Sequence, residues 1–235
     1  MRLRNQPHTI RAGGSPARRV QGGVASTDLI LSARVGSNAS VFADLLRLHV
    51  PSGSLIADVT YGRGAFWREV PADAYRLLAS DLQSGVDCTR LPYASGGLDA
   101  LVLDPPYMEG LFRRDRAQLA GGGSHAPFRA RYSASAPTDD GPKYHEAVLD
   151  LYRRAAVEAH RVLRRRGVFI VKCQDEVSAG RQRLTHIELV NDFADRFSVK
   201  DLFVVVRAQR PGVSRIKRQL HARKNHSYFL VFLAR

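Results

Sequence analysis

The stretch Leu98-Asp99-Ala100-Leu101-Val102-Leu103-Asp104-Pro105-Pro106-Tyr107 constrains this chain more than any other. Leu101, Val102 and Leu103 form a short apolar run, as a strand covered on both faces does. The run stops at Asp104, and two prolines follow. Proline has no backbone N–H to give a neighbouring strand, and it pushes the residue before it out of the helical region. The prediction is a buried strand ending in a stiff turn that presents one carboxylate, exposed carbonyls and one aromatic ring. In open α/β sheets ligands bind outside the carboxyl ends of the strands, which makes this turn the first candidate for chemistry.

The rest of the chain supplies further strands and helices in alternation. Val41, Leu45, Leu46 and Leu48 suit a helix ending before Pro51, with Val35-Gly36-Ser37-Asn38 as a loop ahead of it and Ser37 or Ser40 as its cap. Ser54 to Thr60 reads as a first buried strand, and Tyr61-Gly62-Arg63-Gly64-Ala65-Phe66 as a Gly-rich turn into a second helical pattern. Gly62 and Gly64 admit positive φ and let a ligand approach the backbone closely. Tyr75 to Asp81 reads as the second strand. Asp81 stands 19 residues beyond Gly62, about where nucleotide-binding α/β folds place an acid on ribose hydroxyls.

Residues 143–163 carry helical periodicity in Val148, Leu151, Tyr152, Ala155, Ala159, Val162 and Leu163. Arg164-Arg165-Arg166-Gly167 reads as the close of that helix, cations at its C-terminus and a glycine stop. Val168 to Cys173 is the next buried strand, and Ile187 to Phe197 suggests another helix. Leu202 to Val206 reads as a sixth strand and Tyr228 to Leu233 as the last, with no helix between them. This order predicts an α/β fold, a mostly parallel sheet with one antiparallel strand.

A chain of 235 residues, 44% hydrophobic and 25% charged, suits one globular domain. The expected organisation is a basic flexible arm over residues 1–27 and one domain over 28–235. That domain carries a Gly- and Ser-rich insertion at 108–142 and a basic connection at 207–226. No apolar run reaches ~18 residues and no secretory leader is visible, so the expectation is a cytoplasmic protein without a membrane partner. Cys88 and Cys173 are far apart, and they read as free thiols outside any metal site. The formal net charge is +14, of which residues 1–34 hold +5 and residues 207–226 hold +7. Charge clustered this way fits a polyanion, most simply nucleic acid. Arg113 and Arg114 in the insertion, and Arg215, Lys217, Arg218, Arg223 and Lys224 in the connection, are the candidate nucleic-acid-binding residues. Phe66 and Trp67 read as core; Lys172, Gln174 and His226 lie at strand ends that could face the site and contact a base or phosphate, though each singly reads first as a solvated strand end.

Asp104-Pro105-Pro106-Tyr107 resembles the catalytic motif of the S-adenosylmethionine-dependent amino-methyltransferases, which methylate the exocyclic amine of adenine or cytosine. Asp58-Val59-Thr60-Tyr61-Gly62-Arg63-Gly64 resembles their cofactor loop. Val171-Lys172-Cys173-Gln174-Asp175 and Lys224-Asn225-His226-Ser227-Tyr228 are similar to stretches in small DNA methylases of phages and bacteria. The resemblance covers about residues 35–235 and implies the seven-stranded class I methyltransferase (Rossmann-like) fold, with strand order 3-2-1-4-5-7-6. It implies S-adenosyl-L-methionine held by Asp58, Thr60, Gly62, Gly64, Asp81, Asp87 and the backbone at Cys88. It also implies catalysis by Asp104, Pro105, Pro106 and Tyr107, with Tyr107 as a stacking surface for a base taken out of the duplex. DNA is the expected substrate, at adenine N6 or cytosine N4. A tRNA or rRNA base-amino methyltransferase, or an idle nucleic-acid-binding module on the same fold, stays open on the residues alone. Oligomeric state has no signature in the sequence.

Overall fold

The computed structural model describes residues 29–107, 142, 144–208 and 218–235. The proposed arm, nearly all of the 108–142 insertion, and Arg113, Arg114, Arg215 and Lys217 lie outside these residues.

Among the described residues, seven strands form one sheet: β1 (Ala33–Val35), β2 (Leu55–Asp58), β3 (Arg76–Ala79), β4 (Leu98–Leu103), β5 (Leu163–Cys173), β8 (Phe197–Val206) and β9 (His226–Ala234). Their order is β1-β8-β9-β5-β4-β2-β3. All run parallel except β9, which is antiparallel to both β5 and β8. Helix α1 (Asn38–His49) covers one face, packing Phe42, Leu45 and Leu46 against Ile56, Val102, Ile170 and Phe229. Helices α2 (His145–Val162) and α3 (Thr185–Asp192) cover the other, where Tyr152, Ala155 and Leu189 meet Leu103, Phe169 and Val171. Among the described residues no helix is long and apolar enough to cross a membrane.

Read from β3 to β8, the order follows the 2-1-4-5-7-6 part of the expected one, with two departures. Among the described residues, no third strand lies beyond β3. Residues 80–97 supply one crossover, which takes a dozen or more residues, and are too few for another strand with its own return. The seventh strand is instead β1 at the opposite edge, where Ala33 to Val35 pair with Val204 to Val206. Val35 therefore belongs to a strand rather than to the loop read from its sequence.

Other local readings are also corrected. The helical pattern after Gly64 amounts to a 3-10 turn at Ala65–Glu69, because Gly62, Gly64 and Pro71 leave too short a window for a helix. Arg164-Arg165-Arg166-Gly167 does not end a helix. α2 stops at Val162, and the arginines begin β5. Arg164 Nε donates to Asp99 Oδ1 at 2.6 Å, and Asp99 Oδ2 accepts from Leu55 N at 2.7 Å, so the charge closes the amino ends of β2, β4 and β5. A two-stranded hairpin, β6 (Glu176–Ser178) with β7 (Arg181–Arg183), follows β5 and has no clear periodicity in the sequence. Helix α1 matches its reading, with Ser37 as N-cap accepting from Ser40 N at 3.1 Å.

Candidate active site

The carboxyl ends of β2 and β4 bring the two glycine- and proline-marked turns side by side. Asp58 pairs in register with Val102, which sets Thr60 level with Asp104 on the next strand. One hydroxyl joins them: Thr60 Oγ1 accepts from Asp104 N at 2.7 Å and donates to Asp58 Oδ1 at 3.3 Å. Asp58 is almost wholly buried. It accepts from Thr60 N at 3.0 Å and from Trp67 Nε1 at 2.7 Å. Burial pushes its carboxyl up to about 6 against the pull of those hydrogen bonds, and the nearby Asp104 charge adds to the rise. Trp67, read as core, is thus also the indole that pins this carboxylate.

The Gly-rich turn has the backbone its glycines allow. Gly62 and Gly64 adopt φ of 55° and 64°, in the left-handed region. A Cβ on Gly64 would fall 2.5 Å from Tyr61 Oη, so that ring closes over a position only glycine fits. Asp81 lies just past β3 and reaches back to the turn. Its Oδ2 accepts from Gly62 N at 3.1 Å and its Oδ1 from Ser84 N at 3.0 Å. An ionised carboxylate has about four lone-pair sites, so these two bonds leave acceptor capacity on a half-buried group. Asp87 Oδ1 accepts from Thr89 N and Thr89 Oγ1, both at 2.8 Å, and so organises a turn. Cys88 beside it is buried, and burial, with the Asp87 charge, pushes its thiol up to about 12.

At the Pro-Pro turn, Pro105 is buried and Asp104, Pro106 and Tyr107 are half-buried. Tyr107 Oη donates to Asp104 Oδ1 at 2.7 Å, which fixes the rotation of the carboxylate. Burial, reinforced by Asp104, holds the Tyr107 phenol well above its ordinary range, so it remains a donor. Cys173 is fully buried and its thiol is pushed up as well. Neither cysteine supplies the thiolate that covalent attack on a pyrimidine carbon requires.

The strand-end readings of Lys172, Gln174 and His226 divide. Lys172 is not solvated: it has no exposed surface, and its Nζ donates to Ser227 Oγ at 2.7 Å. Gln174 Nε2 donates to Lys224 O at 3.2 Å, tying the basic connection to the end of β5. His226 is half-buried, with Nε2 3.0 Å from Tyr228 Oη. Arg218 and Arg223 are exposed and Lys224 half-buried, and Arg207 N donates to Asn225 O at 2.7 Å where the connection rejoins the sheet.

No protein-family model and no curated protein sequence matches this chain. Solved structures with a similar chain path include TrmN from Thermus thermophilus, at 15% identity and a TM-score of 0.46, covering 83% of this chain and 48% of that one. A TehB-like SAM-dependent methyltransferase from Corynebacterium glutamicum is similar at 14% identity and a TM-score of 0.44, covering 83% and 87% of the two chains. The [4+2]-cyclase SpnF is similar at 17% identity and a TM-score of 0.41, covering 69% and 58%. The chain thus spans about half the length of the first of these proteins and under two thirds of the last. A fold does not by itself define a reaction, so the site has to.

Proposed function

We propose that this protein transfers a methyl group from S-adenosyl-L-methionine to an exocyclic base amine in nucleic acid, with DNA as substrate and adenine N6 ahead of cytosine N4 as the target. The observation that carries the reading is the Thr60 hydroxyl, bonded to both Asp58 and the Asp104 amide. It holds a glycine turn suited to a nucleoside and a proline turn suited to an amine at adjacent strand ends.

The residues fit the cofactor. Gly62 and Gly64 leave two positions of the turn over the end of β2 without side chains, and the Asp81 carboxylate is anchored to that turn with lone pairs to spare for two ribose hydroxyls. Asp87 and the backbone at Cys88 would hold the adenine ring, the role the sequence resemblance implies for them. Bound there, the cofactor supplies an electrophilic sulfonium methyl group.

The chain's own residues prepare the nucleophile. An exocyclic amine is weak because its lone pair is delocalised into the ring. Asp104 accepts one of its N–H bonds and the Pro105 carbonyl the other, which favours a pyramidal nitrogen with its lone pair directed at the methyl carbon. As that nitrogen takes up the methyl group, Asp104 and solvent would receive the proton it sheds. The rate gain comes from orientation and preorganised charge. Tyr107 keeps the Asp104 carboxylate turned, and its ring offers a face for the base. Arg218, Arg223 and Lys224 track phosphates, with Arg113, Arg114, Arg215 and Lys217 assigned the same role from sequence.

The test is transfer of label from S-adenosyl-L-methionine to duplex DNA, single-stranded DNA and tRNA, followed by chromatography of the digested nucleosides. The expected product is N6-methyl-2′-deoxyadenosine from DNA, with Asp104→Ala lowering the rate on the order of 10²–10³-fold. Label found only in tRNA would move the substrate to RNA, and a product methylated on carbon would refute the site.

A further inference from the structure

A lysine with no exposed surface sits next to the proposed catalytic carboxylate. Lys172 lies on β5, between Val171 and Cys173, which face α2 and α3. Its own side chain takes the α1 face, with Ile170 and with Phe229, its partner on β9. The β4–β5 register runs Val102 to Ile170 and Leu103 to Val171. One step further sets Asp104 level with Lys172, as the β2–β4 register sets Thr60 level with Asp104. Three polar residues thus stand in one row across the carboxyl ends of β2, β4 and β5.

The surroundings of the ammonium are built. Its Nζ donates to Ser227 Oγ at 2.7 Å and lies 4.0 Å from the centre of the Phe229 ring. Tyr152 Oη donates to Lys172 O at 2.6 Å and pins the backbone. Lys172, Ser227, Tyr152 and Phe229 are all fully buried. Burying an ammonium is costly, and an apolar side chain of the same volume would fill this space at least as well. The charge therefore asks for a purpose other than packing.

We propose that Lys172 is a positioning residue of this site: anchored by Ser227 and the Phe229 face, its ammonium keeps the Asp104 carboxylate ionised and in place for the substrate amine. This rests on the reading of Asp104 as the residue that receives the amine. The need arises because Asp58 and Asp104 are near neighbours whose like charges oppose each other, and such pairs drive one member to hold a proton. With the cation beside Asp104, the proton goes to Asp58, the more deeply buried acid. Burial brings the Lys172 ammonium down to about 8, while Asp104 pulls the other way and Arg207 adds to the fall. Cys173 and the phenols of Tyr107 and Tyr152 also feel the Asp104 charge, and burial keeps all three neutral.

The test uses the full chain, labelled with ¹³C at aspartate carboxyls and titrated by NMR, with Asp104→Asn identifying the Asp104 signal. Lys172→Met, which keeps length and loses charge, is expected to raise the Asp104 midpoint by at least about one pH unit, tenfold in proton affinity. Ser227→Ala, which leaves the lysine but frees it, is expected to move the midpoint the same way by less, and it serves if Lys172→Met does not fold. A midpoint unchanged within about 0.3 of a unit in whichever variant folds overturns the proposal. In transfer assays the acid limb of the Lys172→Met rate profile should move up by the same amount, whereas a packing role would lower the rate equally at every pH. The function reading fails separately: if Asp104→Asn transfers methyl groups at the wild-type rate while the midpoint shift is present, Lys172 still controls Asp104 but Asp104 is not the amine's acceptor.

Discussion

Asp58→Asn tests the buried carboxylate at the end of β2. Asp58 is 3% exposed, and its carboxyl is pushed from 3.8 to about 6, chiefly by burial. Between those values the native state holds a proton that the unfolded chain releases. Stability from this group is therefore greatest below about pH 4, falls as pH rises toward 6, and is level above that. At 1.36 kcal/mol per pH unit, the rise amounts to about 3 kcal/mol. Asparagine cannot ionise, so the variant escapes that loss. Its amide has a single acceptor oxygen, however, and must leave either Trp67 Nε1 or the Thr60 donors facing an NH₂ group. That costs about 1–3 kcal/mol at every pH. The variant should thus be the weaker protein at pH 4 by about 1–3 kcal/mol and draw level with or pass the wild type by pH 7. Urea denaturation of both proteins across pH 4–7.5 reads the difference, and groups common to the two cancel. A gap constant to within about 0.5 kcal/mol across that range would refute the reasoning, since it would mean that Asp58 titrates alike in folded and unfolded chains.

Two further predictions concern α2 and the basic connection. His145, buried at the start of α2, has Glu176 Oε1 2.6 Å from Nδ1 and Glu188 Oε2 2.9 Å from Nε2. Burial pulls its proton affinity down, but the two carboxylates outweigh it and leave the ring above its ordinary value. A raised histidine stabilises the fold below its unfolded value near 6.5, and that stability is lost as pH rises through the folded value. His145→Gln should cost about 3–5 kcal/mol near pH 6, as for a broken buried pair, and less at pH 9; urea titrations showing an equal cost at both pH values would count against it. In the basic connection, replacing Arg218, Arg223 and Lys224 by alanine should flatten the salt dependence of DNA binding by ~0.9 for each phosphate left without its cation, up to about three units. A wild-type slope in fluorescence anisotropy would remove these residues from the interface.

What the sequence made legible is what lies along one strand. The apolar runs at Leu101–Leu103 and Val168–Cys173, the glycines at 62 and 64, and the paired prolines at 105 and 106 each carry their meaning in their own neighbours. So the parallel strands and the antiparallel last strand could be anticipated, whereas the bond from Asp104 N to Thr60 Oγ1 could not. Edges were less legible. β1 is three residues long without an apolar pattern, and it exists because β8 has an open side to pair with. The arginines at 164–166 looked like a helix terminus because cations suit one, yet Asp99, 65 residues away, claims Arg164 for the strand.

Lys172 shows the boundary between what a sequence pattern can and cannot carry. Its signal was present: a charge within the run Val168 to Cys173, whose residues alternate between two covered faces, has to point into a core. The strand ends at Cys173 as its sequence predicts, but reading Lys172 just before it as solvated misses that both faces are covered there. The boundary alone does not supply its neighbours. Ser227 is 55 residues away and Asp104 is on another strand; only the register of β4, β5 and β9 puts hydroxyl, ammonium and carboxylate at one level. A buried charge is therefore visible along the chain as an anomaly, and its purpose becomes visible only across the strands, where the groups that make it worth burying come from separate segments.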